Sequence, residues 1–200
     1  MKLFYSANSP FVRKVMACAI ARGIDQQIER LPTNPHDSPA GLLAANPLSK
    51  VPCLIADDGT AVFDSPVICE FLDSVGSAAP LFPAPGPARW QALTLQALAD
   101  GILDAALIRR GLAGKASDAV RQAVTTRQKA TMDRALDVLE RAVPHQELDI
   151  GTIAAACALG YLDLRFAGDD WRAGRPHLAA WFAAIGKAPA LARTAPPGDG

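Results

Sequence analysis

The sequence Ser-Pro-Phe-Val-Arg-Lys at positions 9–14 marks the point where a strand passes into a helix, and this transition decides the fold of the first half of the chain. Residues 2–5 before it are predicted to form a short strand, and the apolar residues after it recur at helical spacing on one face. Ser9 has the residue type that caps helices, and Pro10 suits the first helical position. The sequence therefore predicts a helix over residues 10–22.

The start of this helix is a candidate site for an anion. Unpaired backbone N–H groups and the positive end of the helix dipole both favour a negative charge beside Ser9. A thiolate suits this position, because the Ser9 hydroxyl can donate a hydrogen bond to it. The alternative is that Ser9 only caps the helix.

A second proline-marked signal extends the candidate site. Residues 27–31 are predicted to form a strand, and the strands predicted at 52–56 and 60–63 are joined by a turn and form a hairpin. Pro52 opens its strand and cannot donate a ladder hydrogen bond. The N–H and C=O groups of Val51 are therefore expected to be free for an extended peptide.

A third signal repeats the pattern of the first. Ser65 is predicted to cap an apolar helix that has Pro66 in its first turn. The Ser65 hydroxyl and the N–H groups that follow it make a candidate carboxylate site, and Asp64 beside it suits an ammonium group. Together Asp64 and Ser65 fit the zwitterion of an α-amino acid. The alternative is that both residues only cap the helix.

The second half of the chain is predicted to be helical. Five Pro and Gly residues in the stretch 77–87 predict a linker, whereas residues 32–47 are predicted to be mostly loop. The helices are predicted at 88–109, 117–143, 151–166 and 176–187, and an irregular tail is predicted at 188–200.

Four motifs in this order resemble those of the cytosolic glutathione transferases. They are SPFVRK at 9–14, NPLSKVP at 46–52, FDSPVICEFL at 63–72 and DIGTIAAACALGYLD at 149–163. The resemblance covers nearly the whole chain, and within the family the chain is similar to the small bacterial transferase-like proteins of the YibF type. It implies an α/β plus all-α fold, with a thioredoxin-like glutathione-binding domain at 1–77, a linker at 78–87 and an all-helical domain at 88–200 that contributes the electrophile pocket.

The resemblance also implies a function. Glutathione is expected as the co-substrate, with its bound thiolate attacking a hydrophobic electrophile or a peroxide in detoxification. The alternative is a glutathione-binding regulatory or non-catalytic protein of the same fold, because fold alone does not settle function. A two-fold homodimer in the cytoplasm is expected as well.

The site residues implied by the resemblance follow the motifs. The bond before Pro52 is expected to be cis, Val51 is expected to contact the cysteinyl part of glutathione, and Asp64 and Ser65 its γ-glutamyl part. The whole implied glutathione site comprises Ser9, Phe11, Lys50, Val51, Pro52, Asp64 and Ser65. Lys50 stays open between a solvated surface lysine and a partner for the glycyl carboxylate.

Ser9 is the predicted catalytic residue. It lies four residues before Arg13, which is the spacing of the Ser-type classes, while Tyr5 and Ser6 remain alternatives. Omega and glutaredoxin-like members have Cys immediately before the proline that stands here as Pro10, so a covalent disulfide mechanism is not expected.

Two acidic residues of the first long helix have two interpretations. Asp100 and Asp104 share a helix face with Gln96, which predicts an exposed stripe. The alternative is a cross-subunit contact to the γ-glutamyl amine. In the fourth motif, Asp149 and Thr152 reverse the usual order of the capping box, but both orders supply acceptors to the first turn.

The composition of the chain argues against several classes of protein and site. The chain has 200 residues, 50% of them hydrophobic, and a formal net charge of +0, which gives no electrostatic case for nucleic acid. No long apolar segment follows Met1, so neither a signal peptide nor a membrane span is expected. The four cysteines lack the spacing of a zinc site or a C-x-x-C motif, and they are predicted to be buried free thiols. The three histidines are scattered along the sequence, so no metal cluster is expected.

Overall fold

A four-stranded mixed sheet organises the first third of the chain in the computed structural model, which describes residues 1–116 and 118–196. Its strands are β1 (Lys2–Tyr5), β2 (Glu29–Pro32), β3 (Cys53–Ile55) and β4 (Ala61–Val62), in the spatial order β2-β1-β3-β4. β1 runs parallel to β2 and antiparallel to β3, and β3 and β4 form the predicted hairpin. The strand-to-helix transition predicted after Tyr5 is therefore confirmed.

Three helices accompany this sheet. They are α1 (Pro10–Ala21), α2 (Ala40–Ala45) and α3 (Ser65–Val75). α1 packs against α3 on one side and against the helical half of the molecule on the other. The core between α1, α3 and the sheet is fully buried, with Leu3, Val15, Leu54, Ile68 and Leu72 at its centre. These apolar contacts fix where α1 and α3 begin.

Five α-helices are the main elements of the rest of the described chain. They are α4 (Pro87–Leu112), α5 (Ala119–Arg141), α6 (Ile150–Arg165), α7 (Pro176–Ile185) and α8 (Pro189–Ala192). α6 is the central helix, since every residue from Ile150 to Leu162 is buried. Gly151 lets α6 approach α4 closely, because a Cβ atom there would lie 2.6 Å from the Ala92 carbonyl oxygen.

The reversed capping box at the start of α6 forms as predicted. The Thr152 N–H donates to Asp149 Oδ1 at 2.7 Å, and the Asp149 N–H donates to Thr152 Oγ1 at 2.9 Å. The Ile150 N–H also donates to the Leu81 carbonyl at 3.0 Å, which ties the segment before α4 to the central helix. Two backbone donors of the first turn are thus satisfied by side chains.

Two of the secondary-structure predictions are wrong in part. The stretch 32–47 contains α2 as well as loop, because Leu42 is fully buried and anchors this apolar turn. The tail predicted to be irregular contains α8, whose Ala190 and Leu191 are buried. Residue 117, the predicted start of the second long helix, and residues 197–200 of the predicted tail lie outside the described residues.

α4 has the length and the apolar composition that a membrane-spanning helix needs. In the described part of the chain it is the one helix that is long and apolar enough to cross a membrane by length and composition alone. A core helix of a soluble protein passes the same test. α4 packs against both α5 and α6, which is the arrangement of a core helix. The four cysteines are free and buried, as predicted.

Candidate functional site

Most of the predicted glutathione site converges on one cavity. Between the sheet-containing part and α4 lies a cavity of about 150 Å³. Six of the seven predicted residues line it, namely Phe11, Lys50, Val51, Pro52, Asp64 and Ser65. Asp100 and Asp104 of α4 also line this cavity, which is called the acidic cavity below. Ser9 lies outside it and lines a smaller neighbouring cavity.

A larger groove lies elsewhere on the molecule. It measures about 930 Å³, runs between α4 and the end of α5, and contains none of the predicted site residues. Its walls are largely apolar and include the exposed Trp90. His145, Glu147 and Asp149 also line this groove, but the acidic cavity combines charged side chains with open backbone groups and a helix start. The acidic cavity is therefore the better candidate site.

The loop before β3 presents Val51 to the acidic cavity. The bond between Val51 and Pro52 is cis, as the family resemblance implied. Asn46 is buried and holds the loop, because its amide donates to the Lys50 carbonyl at 2.9 Å and its side-chain oxygen accepts from the Leu48 N–H at 3.1 Å. In the described part of the chain the Val51 N–H and C=O have no hydrogen-bond partner, which leaves both available to an extended peptide.

The start of α3 differs by one residue from the prediction. Asp64 occupies the cap position with extended backbone angles, and Ser65 is the first helical residue, so the prediction that Ser65 caps the helix is wrong. The helix begins one residue earlier because Pro66 is tolerated in the first turn as well as at the first position. No side chain caps this start, and Ser65 is 3% exposed. The Ser65 N–H therefore has no side-chain acceptor from the cap, and Ser65 lines the cavity.

A buried ion pair joins the two halves of the molecule beneath the acidic cavity. The Lys14 side chain is 0% exposed, and its Nζ lies 2.7 Å from both carboxylate oxygens of Asp100, which is 17% exposed. Lys14 Nζ also lies 5.6 Å from the centre of the Phe11 ring. Lys14 belongs to α1 and Asp100 to α4, so the pair fixes one helix against the other.

The interpretation of an exposed stripe on α4 is wrong for two of its three residues. Gln96 is 4% exposed and Asp100 is mostly buried, whereas Asp104 is exposed. Burial raises the pKa of the Asp100 carboxyl above its ordinary value, while the Lys14 ammonium acts in the opposite direction. Although the Asp104 side chain is exposed, desolvation by the surrounding protein also raises the pKa of its carboxyl, and Lys50 opposes this shift.

Ser9 caps α1 as predicted. The Val12 N–H donates to Ser9 Oγ at 3.3 Å, and this bond does not consume the hydroxyl proton. The neighbouring cavity that Ser9 lines also contains Arg13, Cys157 and Tyr161. Burial raises the pKa of Cys157 to about 11, so this cysteine is a neutral thiol near pH 7.

Arg13 brings positive charge to the Ser9 cavity. Its Nη2 donates to the Leu191 carbonyl at 3.4 Å, and its guanidinium packs against Gly160 of α6. Its Nε and Nη1 atoms are buried and have no hydrogen-bond partner among the described residues. Such a group favours an anion nearby, because an unpaired buried donor is costly.

Tyr5 and Ser6, the alternatives to Ser9 for activating the thiol, lie outside both cavities described above. Tyr5 and Ser6 line another cavity, beside Arg30, whose guanidinium carbon lies 5.7 Å from the Tyr5 ring centre. The structure therefore places neither residue in the acidic cavity or in the cavity that Ser9 lines.

Sequence reasoning singled out neither Lys14 nor Asn46. For Lys14 a signal was present, because its position lies between Phe11 and Cys18 on the helical repeat of a buried face. A lysine at such a position needs a buried partner. The sequence did not indicate that this partner would be Asp100.

Comparison with known proteins identifies relatives over nearly the whole chain. Two family models match, the glutathione S-transferase N-terminal domain over residues 8–75 and the glutathione S-transferase C-terminal domain over residues 122–184. The uncharacterized GST-like protein YibF of Escherichia coli (strain K12) is 35% identical over 204 residues, which cover 98% of this chain and 99% of YibF.

Solved structures of bacterial transferases agree with this match. A glutathione transferase family member from Pseudomonas fluorescens Pf-5, with bound glutathione, is 40% identical at a TM-score of 0.90, covering 98% of each chain. A glutathione S-transferase from Methylobacillus flagellatus KT, also with glutathione bound, is 33% identical at a TM-score of 0.88, covering 98% of this chain and 99% of that one. The predicted fold, a thioredoxin-like part followed by a helical part, is confirmed.

Proposed function

Since this chain belongs to the glutathione S-transferase family, we propose that it binds glutathione in the acidic cavity and activates the thiol at Ser9 for attack on an electrophile or a peroxide. The observation that carries the proposal is the convergence of Val51, Asp64 and Ser65 on one cavity. Two relatives with bound glutathione support the identity of the ligand.

Each part of glutathione has a chemically suited partner. The γ-glutamyl carboxylate suits the open N–H groups at the start of α3, and its ammonium suits Asp64. The cysteinyl backbone suits the free N–H and C=O of Val51, as an added strand would. Lys50 lines the same cavity and suits the glycyl carboxylate. The acidic cavity, about 150 Å³, is smaller than typical ligand pockets, so the tripeptide would be enclosed only at its γ-glutamyl end.

The chemistry requires a modest stabilisation of the thiolate. Lowering a thiol pKa from about 8.5 to about 6.5 takes ~2.7 kcal/mol. A hydrogen bond to a charged group supplies about 1.5–3 kcal/mol, and a helix N-terminus about 0.3–1 kcal/mol. A hydroxyl proton on Ser9 and the start of α1 are therefore sufficient, and the Arg13 guanidinium adds charge of the favourable sign. No step of this mechanism uses a metal.

A binding function without turnover is the second candidate. It is favoured by one observation, that Ser9 lines a cavity separate from the one that gathers the other six residues. In that case glutathione would bind at Val51, Asp64 and Ser65 while its thiol stayed protonated.

We also propose a localisation, an oligomeric state and a domain division, all three from membership of the family. The protein would act as a cytoplasmic homodimer in detoxification, with residues 1–77, 78–87 and 88–200 as glutathione-binding domain, linker and helical domain. The helical domain would hold the second, hydrophobic substrate. A cross-subunit contact would fall to Asp104 more readily than to Asp100, because both oxygens of Asp100 are held by Lys14 of the same chain.

The test uses a substitution of Ser9 that keeps the start of the helix stable. Replacing a capping serine by alanine costs about 0.5–2 kcal/mol of stability, whereas glycine costs only a few tenths. Ser9→Gly is therefore expected to keep the fold and the affinity for glutathione while raising the pKa of the bound thiol by about one to two units, as followed by thiolate absorbance.

Tyr5→Phe serves as the matched control and is expected to leave the bound thiol unchanged. A raised thiol pKa in Tyr5→Phe, with none in Ser9→Gly, would move the catalytic assignment to Tyr5. A thiol that is protonated at neutral pH in the wild type would support the binding function instead.

A further inference from the structure

The cavity lined by Tyr5 and Ser6 has no part in the proposed glutathione site. We propose that this cavity binds a phosphate group, and that a bound phosphate opposes the formation of the thiolate at Ser9. The binding of phosphate stands apart from the proposed function, whereas its effect on the thiolate rests on that function.

Three arginines give this cavity its character, and it is called the arginine cavity below. Arg13, Arg30 and Arg193 line it, and its volume is about 140 Å³. Asp25 is the one carboxylate among the described residues of its wall, so three positive charges and one negative charge leave a net charge of +2. Ligand pockets for larger molecules usually exceed about 300 Å³. The arginine cavity therefore suits a small anion, and best one with two charges.

Arg30 is the cation of this cavity that is most open to a ligand. Its guanidinium carbon lies 5.7 Å from the centre of the Tyr5 ring, and among the described residues its guanidinium has no hydrogen bond or ion pair. A guanidinium can donate two parallel hydrogen bonds to one phosphate. Arg30 can therefore take up a phosphate without giving up another partner.

Arg193 and Asp25 act on an anion in opposite directions. Arg193 Nη2 lies 2.6 Å from Asp25 Oδ2. Because a guanidinium has five N–H donors, Arg193 can keep this contact and still donate to a phosphate. Asp25 repels an anion and offsets one of the positive charges. We therefore expect Asp25 to limit the affinity for phosphate rather than to contribute to it.

Two hydroxyl groups complete the wall and favour phosphate over a carboxylate. The side chains of Tyr5 and Ser6 line the cavity, and within the described part of the chain neither hydroxyl has a hydrogen-bond partner. A phosphate group carries about −1.5 to −2 charges near pH 7 and has three strong acceptor oxygens. A carboxylate has one charge and two oxygens. Phosphate therefore matches both the net charge and the number of donors better.

Arg13 connects the arginine cavity to the cavity that Ser9 lines. It contributes to the walls of both. Its Nε and Nη1 atoms are buried and have no hydrogen-bond partner among the described residues. The positive charge of Arg13 favours a thiolate beside Ser9, and a phosphate in the arginine cavity offsets that charge. A bound phosphate is therefore expected to make the thiolate less favourable.

The first test measures phosphate binding in the absence of glutathione. Calorimetry follows the titration of inorganic phosphate into the full chain, at constant ionic strength because salt screens exposed charges. Glycerol phosphate, a monoester, is titrated in a second arm. The wild type is expected to bind inorganic phosphate with a Kd of about 1 mM or lower. Either binding of the free ion alone or binding of both compounds supports the site, and the comparison shows whether the site admits an ester.

Two substitutions are expected to change the affinity in opposite directions. Arg30→Gln should weaken phosphate binding at least about tenfold, because charge-assisted hydrogen bonds are lost. Asp25→Asn should strengthen phosphate binding about two- to fivefold, because a like charge is removed. Damage to the fold cannot explain a gain in affinity. Arg127→Gln is the matched control, since Arg127 is exposed on α5 outside the arginine cavity, and its affinity is expected to equal that of the wild type.

The second test measures the effect of phosphate on the bound thiol. The protein is saturated with glutathione, and thiolate absorbance is followed against pH with and without phosphate at constant ionic strength. Phosphate is expected to raise the pKa of the bound thiol by about half a unit in the wild type. The same phosphate concentration is expected to leave this pKa unchanged in Arg30→Gln, whose site stays empty.

Several results would overturn the inference. A wild type that binds no phosphate, or an Arg30→Gln variant with unchanged affinity, would remove the site. Loss of binding in Lys50→Gln but not in Arg30→Gln would place the phosphate in the acidic cavity instead. A thiol pKa that does not respond to bound phosphate would remove the effect on the thiolate. A protein that binds phosphate but no glutathione would remove the proposed function and leave the phosphate site standing, so the two failures are distinguishable.

Discussion

Asp100→Asn is expected to destabilise the protein strongly, even though the substitution removes a single charge. The substitution leaves the Lys14 ammonium, which is 0% exposed, without the carboxylate whose two oxygens its Nζ contacts at 2.7 Å. Removing one partner of a buried ion pair costs about 3–5 kcal/mol. Because Asp100 is 17% exposed, water can reach the gap, and we expect the lower end, about 3 kcal/mol.

Thermal and urea unfolding, followed by circular dichroism, measure this cost. For a chain of this size each kcal/mol lowers Tm by about 2–4 °C, so Asp100→Asn is expected to lower it by about 6–12 °C. Lys14→Met leaves only a carboxylate that can meet water or take up a proton, and a cost of about 1–3 kcal/mol is expected.

The double variant tests the coupling directly. Lys14→Met combined with Asp100→Asn removes both charges, so its cost is expected to be lower than the sum of the single costs by about 1–3 kcal/mol. Additive costs, or a loss of less than about 1 kcal/mol in Asp100→Asn, would refute the view that this pair is a buried, tightly coupled contact between α1 and α4.

Three further results are expected. Gly151→Ala should cost about 1–3 kcal/mol in urea unfolding, since the new methyl group would press on the Ala92 carbonyl; wild-type stability would contradict the close approach of α4 and α6. Asp149→Ala should cost about 0.5–2 kcal/mol, because the Thr152 N–H loses its acceptor, and an unchanged Tm would contradict the role of the capping box. Asp104→Asn should match the wild type near pH 4 and be more stable at pH 7. The pKa of Asp104 is raised in the folded state, so its carboxylate lowers the stability of the wild type as the pH rises through that pKa. Identical pH profiles of stability for the two proteins would count against this desolvation effect.

Local signals in the sequence predicted the elements that carry the candidate site. Ser9 before Pro10 predicted the start of α1, and the reversed capping box at Asp149 and Thr152 formed as expected. Such features depend on residues within one turn of each other, so their geometry is largely independent of the rest of the fold. The same reasoning missed α2, which is short and exists because Leu42 is buried by distant parts of the chain.

The contacts between elements could not be predicted in this way. Lys14 and Asp100 are 86 positions apart in sequence, and the residues next to either one do not indicate which residue it will pair with. The boundary of α3 at Asp64, one residue before the expected cap, depends on backbone angles that the Ser-Pro pattern does not fix. The assignment of Asp100 to an exposed stripe failed for the same reason, because its carboxylate pairs with Lys14 of α1, a distant part of the chain.

The most direct test of the central claim is titration calorimetry of glutathione into the wild-type protein and into the variant that combines Asp64→Ala with Ser65→Ala. Asp118→Ala, which removes the cap of α5 outside the acidic cavity, is the control. The expected result is saturable binding by the wild type and the control, with affinity lowered at least about tenfold in the double variant, since the γ-glutamyl ammonium loses Asp64 and its carboxylate loses the Ser65 hydroxyl. Equal affinity in all three proteins, or no binding by the wild type, would contradict the proposal that glutathione occupies this cavity.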